Sequence, residues 1–184
     1  TNCTHLTELN IGMLGSGMVQ ELLDPQIQAL VDNLTPTILK VDFCGRNLQD
    51  EHLKILTKRC NNITHLDLRW TRITNDSVHS IIEQLKSSLE KLDVSYTHVD
   101  FATLLRLKSM PGLKSLRCFD LDDDYDDQAE NIENLKQQLP HIRINEEEDK
   151  DIIARPDKIN SNESSYFDWI WEIRAKEQVL FARN

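Results

Sequence analysis

Apolar residues recur along this chain in the order apolar-x-x-apolar-x-apolar, six times over. The copies are Leu6-Leu9-Ile11, Ile38-Val41-Phe43, Ile63-Leu66-Leu68, Leu89-Leu92-Val94, Leu113-Leu116-Cys118 and Leu139-Ile142-Ile144. From their starts at positions 6, 38, 63, 89, 113 and 139, the steps are 32, 25, 26, 24 and 26 residues. The alternation at the end of each copy predicts a short strand, whose intervening residues point to the opposite face. Between copies the apolar spacing changes from 2 to 3.6, as a switch to helix requires. Ile27, Leu30, Val31 and Leu34 fall on one helical face behind Asp24-Pro25, a cap followed by a first-turn proline. Leu53, Leu56 and Cys60 mark a second helix, and Val78, Ile81, Ile82 and Leu85 a third behind the capping pair Thr74-Asn75. Leu104 and Leu107 follow Asp100 in a fourth, and Ile132 with Leu135 belong to a fifth.

A strand plus one helix cannot bury its apolar face alone, but stacked copies share a continuous core. The period and the strand-helix unit together predict an α/β leucine-rich-repeat solenoid, a horseshoe with a parallel concave sheet and outer helices. Residues 1–145 are expected to form this domain, with about six repeats. The long first step contains Gly12, Gly15 and Gly17 and predicts a loop insertion. Because the chain opens on a full repeat without a polar capping unit, Leu6, Leu9 and Ile11 would face water, which predicts an N-terminally truncated solenoid. Residues 146–184 are expected to be a C-terminal tail packing on the repeats. In it an acidic stretch, Pro156 and a polar connection precede the alternating Phe167, Trp169, Trp171 and Ile173. Those rings need cover. Capping the last repeat, folding back along the concave sheet and waiting for a partner are the three readings.

The strand pattern places a central column, Asn10, Asp42, Asp67, Asp93, Arg117 and Arg143, on the concave face. One column precedes it (Glu8, Lys40, His65, Lys91, Ser115, His141) and one follows it (Gly12, Cys44, Arg69, Ser95, Phe119, Asn145). The candidate partner-binding residues are Arg46, Asp67, Arg69, Trp70, Tyr96, His98, Arg117 and Phe119, with Trp169 and Trp171 from the tail. The acids read as a solvated sheet face, as part of a protein-docking surface, or as a paired-carboxylate catalytic site. Aromatic residues and arginines beside them favour docking. Catalysis would need environments that split the carboxyl pKa values, and an open sheet face offers neither burial nor a pocket.

The formal charge of −10 argues against nucleic acid and anionic membranes as partners, and no apolar run reaches the length of a membrane span. Cys3, Cys44, Cys60 and Cys118 form no C-x-x-C pair, so free, mostly buried thiols in a reducing compartment are expected. Nucleus and cytoplasm is the expected location. The sequons at Asn2, Asn33, Asn62, Asn75 and Asn162 read as unused. The acidic run from Asp120 to Asp127 lacks the glycine and closing glutamate of a calcium loop. With no phosphate loop, nucleophile elbow or zinc motif in the sequence, the reading is a non-enzyme with no metal, cofactor or catalytic residues.

Several segments resemble the F-box leucine-rich-repeat proteins, among them Asn2-Cys3-Thr4-His5-Leu6-Thr7-Glu8-Leu9-Asn10, Asn47-Leu48-Gln49 and Arg59-Cys60-Asn61-Asn62-Ile63-Thr64-His65-Leu66-Asp67-Leu68. More specific is the order Leu139-Pro140-His141-Ile142-Arg143-Ile144-Asn145, Ile153-Ala154-Arg155-Pro156, Ile170-Trp171-Glu172-Ile173. The resemblance implies the substrate-recognition part of an SCF (cullin-RING) E3 ubiquitin ligase subunit, binding cell-cycle regulators for ubiquitination. An upstream F-box, not present in these residues, would carry the adaptor and cullin. A phosphorylated cyclin-dependent-kinase inhibitor is the implied substrate, with a kinase accessory subunit as a second partner. Arg46 matches a family position that helps hold an acidic substrate residue. Met13, Trp70 and Tyr96 depart from the family's aromatic, acidic and basic residues, and the acidic stretch near Asp149 replaces a His-Phe pair. A leucine-rich-repeat interaction scaffold outside ubiquitin transfer is the alternative.

Overall fold

The computed structural model describes residues 5–12, 24–121 and 128–146, all of them within one compact unit. Six strands run parallel in sequence order: β1 (Glu8–Asn10), β2 (Lys40–Asp42), β3 (His65–Asp67), β4 (Lys91–Asp93), β5 (Ser115–Arg117) and β6 (Arg143–Ile144). The crossovers carry α1 (Asp24–Asn33), α2 (Asp50–Arg59), α3 (Asn75–Leu85), α4 (Phe101–Leu104) and α5 (Gln128–Gln138). In the fourth crossover α4 passes after one turn into a 3₁₀ helix, Leu105–Ser109, and Pro111-Gly112 follow shortly after.

The apolar triplets fill the space between sheet and helices. Ile38, Val41, Phe43, Ile63, Leu66, Leu68, Leu89, Leu92 and Val94 are buried there, opposite Leu53, Leu56, Val78, Ile81 and Leu85 from the helices. Leu6, Leu9 and Ile11 pack against this core but stay only half-buried, where the triplets of the next repeats are buried. Cys60 and Cys118 are buried free thiols and Cys44 a half-buried one.

Polar residues at the helix starts tie α2 to α3 and α3 to α4. The Asp50 carboxylate accepts from Thr74 N (2.9 Å) and Thr74 Oγ1 (2.7 Å), and also from the Ser77 hydroxyl. One repeat on, Asn75 Nδ2 donates to Asp100 Oδ2 (2.7 Å), while Asp100 N donates back to Asn75 Oδ1 (3.0 Å). Thr74 and Asp100 are at the same time the N-caps of α3 and α4, as their side-chain chemistry predicts.

The first five strands pair as the sequence columns require, but the sixth does not. Leu139 N donates to Leu135 O and Ile142 N to Leu139 O, matching Cys60 to Leu56 and Leu113 to Met110. Leu139 therefore closes the helix, and Ile142 takes the place that Leu113 holds in the turn. Only one residue then separates Ile142 from its strand residue Ile144, against two between Leu113 and Leu116. The pairs are Ser115↔Arg143 and Leu116↔Ile144. Arg143 thus leaves the central column, Asn145 enters it beside Arg117, and His141 stays in the turn.

Candidate functional site

On the sheet face away from the helices the first four strands end in the same way. The central-column side chain folds back to accept from the backbone N–H two residues on. Asn10 does this for Gly12 (3.0 Å), Asp42 for Cys44 (2.8 Å), Asp67 for Arg69 (3.1 Å) and Asp93 for Ser95 (3.0 Å). These are Asx turns, which satisfy a backbone donor where the ladder stops. The acids are correspondingly buried, with Asp67 1% and Asp93 0% exposed. The expectation of an open face without burial or pocket is overturned here. Gly12 belongs to the same construction, since an added Cβ would stand 2.6 Å from Asp42 Oδ1.

The residue after the turns at Asp42, Asp67 and Asp93 adopts left-handed backbone, Gly45 (φ 71°), Trp70 (59°) and Tyr96 (59°), as do Asp120 (49°) after β5 and Asn145 (56°) after β6. Gly45 accepts this without a side-chain clash, whereas aromatic side chains in that region are strained. Neighbouring repeats hold these residues in place. Gly45 N donates to Arg69 O (2.8 Å), Trp70 N to Ser95 O (3.2 Å) and Tyr96 N to Phe119 O (2.8 Å). One repeat apart and identically turned, the Trp70 and Tyr96 rings stack with centroids 3.7 Å apart and 5° between planes.

Beside the stacked rings the sheet carries a charged row. Arg69 donates from Nε to both Asp67 oxygens (2.9 and 3.0 Å) and from Nη2 to Oδ2. Its Nε also comes within 3.2 Å of Asp93 Oδ2, but its hydrogen bonds go to Asp67. The other neighbour of Asp93, Arg117, stands 3.9 Å away through Nε and makes no hydrogen bond there. The Asp93 carboxyl is pushed up to about 7, first by burial and next by the Asp67 charge, with Arg69 and Ser95 pulling it back. Arg117 itself lies over Phe119, 5.7 Å from the ring centroid. Arg69, Asp93, Ser95, Tyr96, Arg117 and Phe119 line a cavity of about 230 Å³.

The candidate residues thus separate into roles. Trp70, Tyr96, Arg117 and Phe119 form a half-buried to exposed patch, Phe119 being 36% exposed. His98 is exposed nearby, its N–H bonded to Ile73 O (3.1 Å). Asp67 and Arg69 lie under the patch and bind each other. Arg46 departs from the expected contact residue. It is 8% exposed, and its Nε donates to the Ile11 carbonyl, which makes it a tie between the first two repeats. Trp169 and Trp171, Gly15 and Gly17, and most of the Asp120–Asp127 run lie outside the described residues.

Three participants escaped the sequence reading as site residues: Asp93, Ser95 and Asn145. Asp93 and Ser95 could have been found from Asp-x-Ser repeating the Asp-x-Cys and Asp-x-Arg spacing of the two earlier strands. Asn145 needed the corrected register.

Asp42, Cys44 and Asp67 bring three ligand-type atoms within 4.8 Å of one another. Burial pushes the Cys44 thiol up to about 12, with Arg69 opposing and Asp67 and Asp42 adding to the rise. Two of the three groups are already engaged within the fold, Asp67 with Arg69 and Asp42 with the Cys44 N–H. Among the described residues no helix is long and apolar enough to cross a membrane. The family model described as the SKP2 LRR domain matches residues 1–178.

Proposed function

The chain belongs to the SKP2 LRR domain family, a non-catalytic protein-recognition module, and on that premise we propose that it is the substrate-recognition part of an SCF (cullin-RING) E3 ubiquitin ligase subunit. The observation that carries the reading is the extent of the match, which covers the repeats and most of residues 146–184. Those two segments, 1–145 and 146–184, serve as the repeat domain and its tail. The substrate is a protein, a cell-cycle regulator such as a phosphorylated cyclin-dependent-kinase inhibitor. It docks on the face carrying Trp70, Tyr96, His98, Arg117 and Phe119, while Asp67 and Arg69 hold that face in shape. A cyclin-dependent-kinase accessory subunit shares the surface. Adaptor and cullin join through an upstream F-box, and the complex works in nucleus and cytoplasm.

An exposed Phe119 beside stacked rings and a half-buried arginine supports docking, because aromatic residues and arginine dominate interface energetics. Affinity purification of the full-length protein from cells tests the reading. Co-purification of adaptor and cullin, lost when the upstream segment is deleted, is the expected result. Full-length protein that recovers neither would leave a leucine-rich-repeat scaffold outside ubiquitin transfer.

A further inference from the structure

Pro25, Pro36, Pro111, Pro140 and Pro156 follow Asp24, Thr35, Met110, Leu139 and Arg155, so Thr35-Pro36 is the one place where a hydroxyl residue precedes a proline. The turn leading into β2 accounts for the proline but not for the threonine. Ile38 N donates to Thr35 O (3.2 Å), as Leu113 N does to Met110 O and Ile142 N to Leu139 O. A proline follows the accepting residue in all three turns, where its fixed φ suits the bend. Met110 and Leu139 are buried in the core, and so is Cys60 at the matching place before β3. Thr35 is only half-buried there, and Pro36 and Thr37 are exposed. Its hydroxyl lies at the surface, 2.8 Å from Thr37 Oγ1. Because Thr37 donates to Leu6 O (2.9 Å), Thr35 is the donor of that contact.

A cation already stands beside this turn. α1 has no basic residue in its last turn, and its end is met instead by Arg59 of α2, whose Nε donates to Leu34 O (2.6 Å). Cys60 Sγ donates to Thr35 O (3.4 Å), so residues 59 and 60 run alongside residues 34 and 35. Arg59 and Lys58 are exposed, and no carboxylate among the described residues forms an ion pair with Arg59. With Nε held by the carbonyl, the Nη groups remain for an anion, in the fork geometry that suits phosphate oxygens.

We propose that Thr35 is a phosphorylation site for a proline-directed protein kinase, and that Arg59 holds the phosphate and so ties α1 to α2. The γ-phosphoryl group of ATP passes to Thr35 Oγ1. The Oγ1–P bond forms as the bond from the γ-phosphorus to the bridging oxygen breaks, ADP leaves, and the hydroxyl proton goes to the kinase's catalytic carboxylate. A residue before proline is biased towards extended backbone, and the proline itself brings no N–H that a kinase cleft must satisfy. Opening the turn breaks bonds at the surface, in the part of the described core where Leu6, Leu9 and Ile11 are least covered. The phosphoester oxygen cannot donate, so the contact with Thr37 is exchanged for one with Arg59. The negative end of α1 opposes a phosphate, and the paired guanidinium is what offsets it.

The test maps phosphate by mass spectrometry on full-length protein, both recovered from phosphatase-inhibited cells and treated with a purified mitogen-activated protein kinase and Mg·ATP. Thr35 is expected to be modified in both. Pro36→Ala should slow the reaction with the purified kinase at least about tenfold, about 1.4 kcal/mol in the barrier. Thr35 unmodified in both preparations, phosphate on Thr37 in its place, or an equal rate for Pro36→Ala would overturn the site. Modification confined to protein that has lost its cooperative urea transition would overturn it as well. The role of Arg59 is read from the ³¹P resonance of phosphorylated Thr35. Its pH midpoint should lie about 0.5 units lower in the wild type than in Arg59→Gln, and Arg59→Lys should restore part of the difference. Equal midpoints in the three proteins would remove Arg59 from the proposal.

Discussion

The face of β2 and β3 and the face of β4 to β6 share one backbone plan and differ in how completely their polar atoms are used. Around Asp67 the charges close on themselves, with Arg69 gripping both carboxylate oxygens and the Asx turn taking up the strand-end N–H. Around Arg117 three buried donor atoms, Arg117 Nε, Ser115 Oγ and Asn145 Nδ2, make no hydrogen bond. Neighbouring strands of one sheet can therefore close their polar atoms on one another in one region and leave them unpaired in the next. The two arginines provide the sharpest contrast. Arg69→Ala strands two buried carboxylates and should destabilise by about 3–5 kcal/mol in urea unfolding. Arg117→Ala loses an ion pair without a hydrogen bond and should cost about 1 kcal/mol or less. Equal losses would mean that the two regions do not differ.

Asp93 stands at the boundary, and its titration sharpens the comparison. Its folded pKa of about 7 lies above the usual 3.8, so the folded state holds a proton that the unfolded state has released. The stabilisation is full below pH ~4 and lost as pH rises through ~7, amounting to an effect on the order of a few kcal/mol. Asp93→Asn should flatten this stretch of the stability–pH curve, measured by urea midpoints from pH 4 to 8. Arg46→Ala, which removes the tie to the Ile11 carbonyl, should lower stability by about 1–3 kcal/mol, read from its urea midpoint. The smallest effect concerns the left-handed pair. Trp70→Gly and Trp70→Ala both lose the stack, but only glycine relieves the φ of 59°. The glycine variant should be the more stable by about 1 kcal/mol in the same assay.

All six strands could be read from the apolar triplets, because burial on one side of a parallel sheet leaves a fixed spacing. The concave columns followed as far as β5. The sixth register was not legible, since nothing in Leu139-Pro140-His141-Ile142 says whether its first leucine ends the helix or begins the strand turn. The patch of Trp70, Tyr96 and Phe119 could be located, but not the strain or the stack, which come from a left-handed position that only Gly45 betrays. The burial of Arg46 was hidden as well. Its partner is a backbone carbonyl 35 residues away, and a backbone atom leaves no signature in sequence.

The division between the two regions is tested most directly by comparing two double variants of the full-length protein for partner capture. Lys40→Ala with His65→Ala alters the exposed side of β2 and β3, and Arg117→Lys with Phe119→Ala alters the patch over β5. Quantitative mass spectrometry of the proteins bound to each, at matched folded concentration, should show substrates kept by the first and lost by the second, with adaptor and cullin retained by both. Substrates lost equally from both variants, or kept by both, would contradict a recognition surface centred on Arg117 and Phe119.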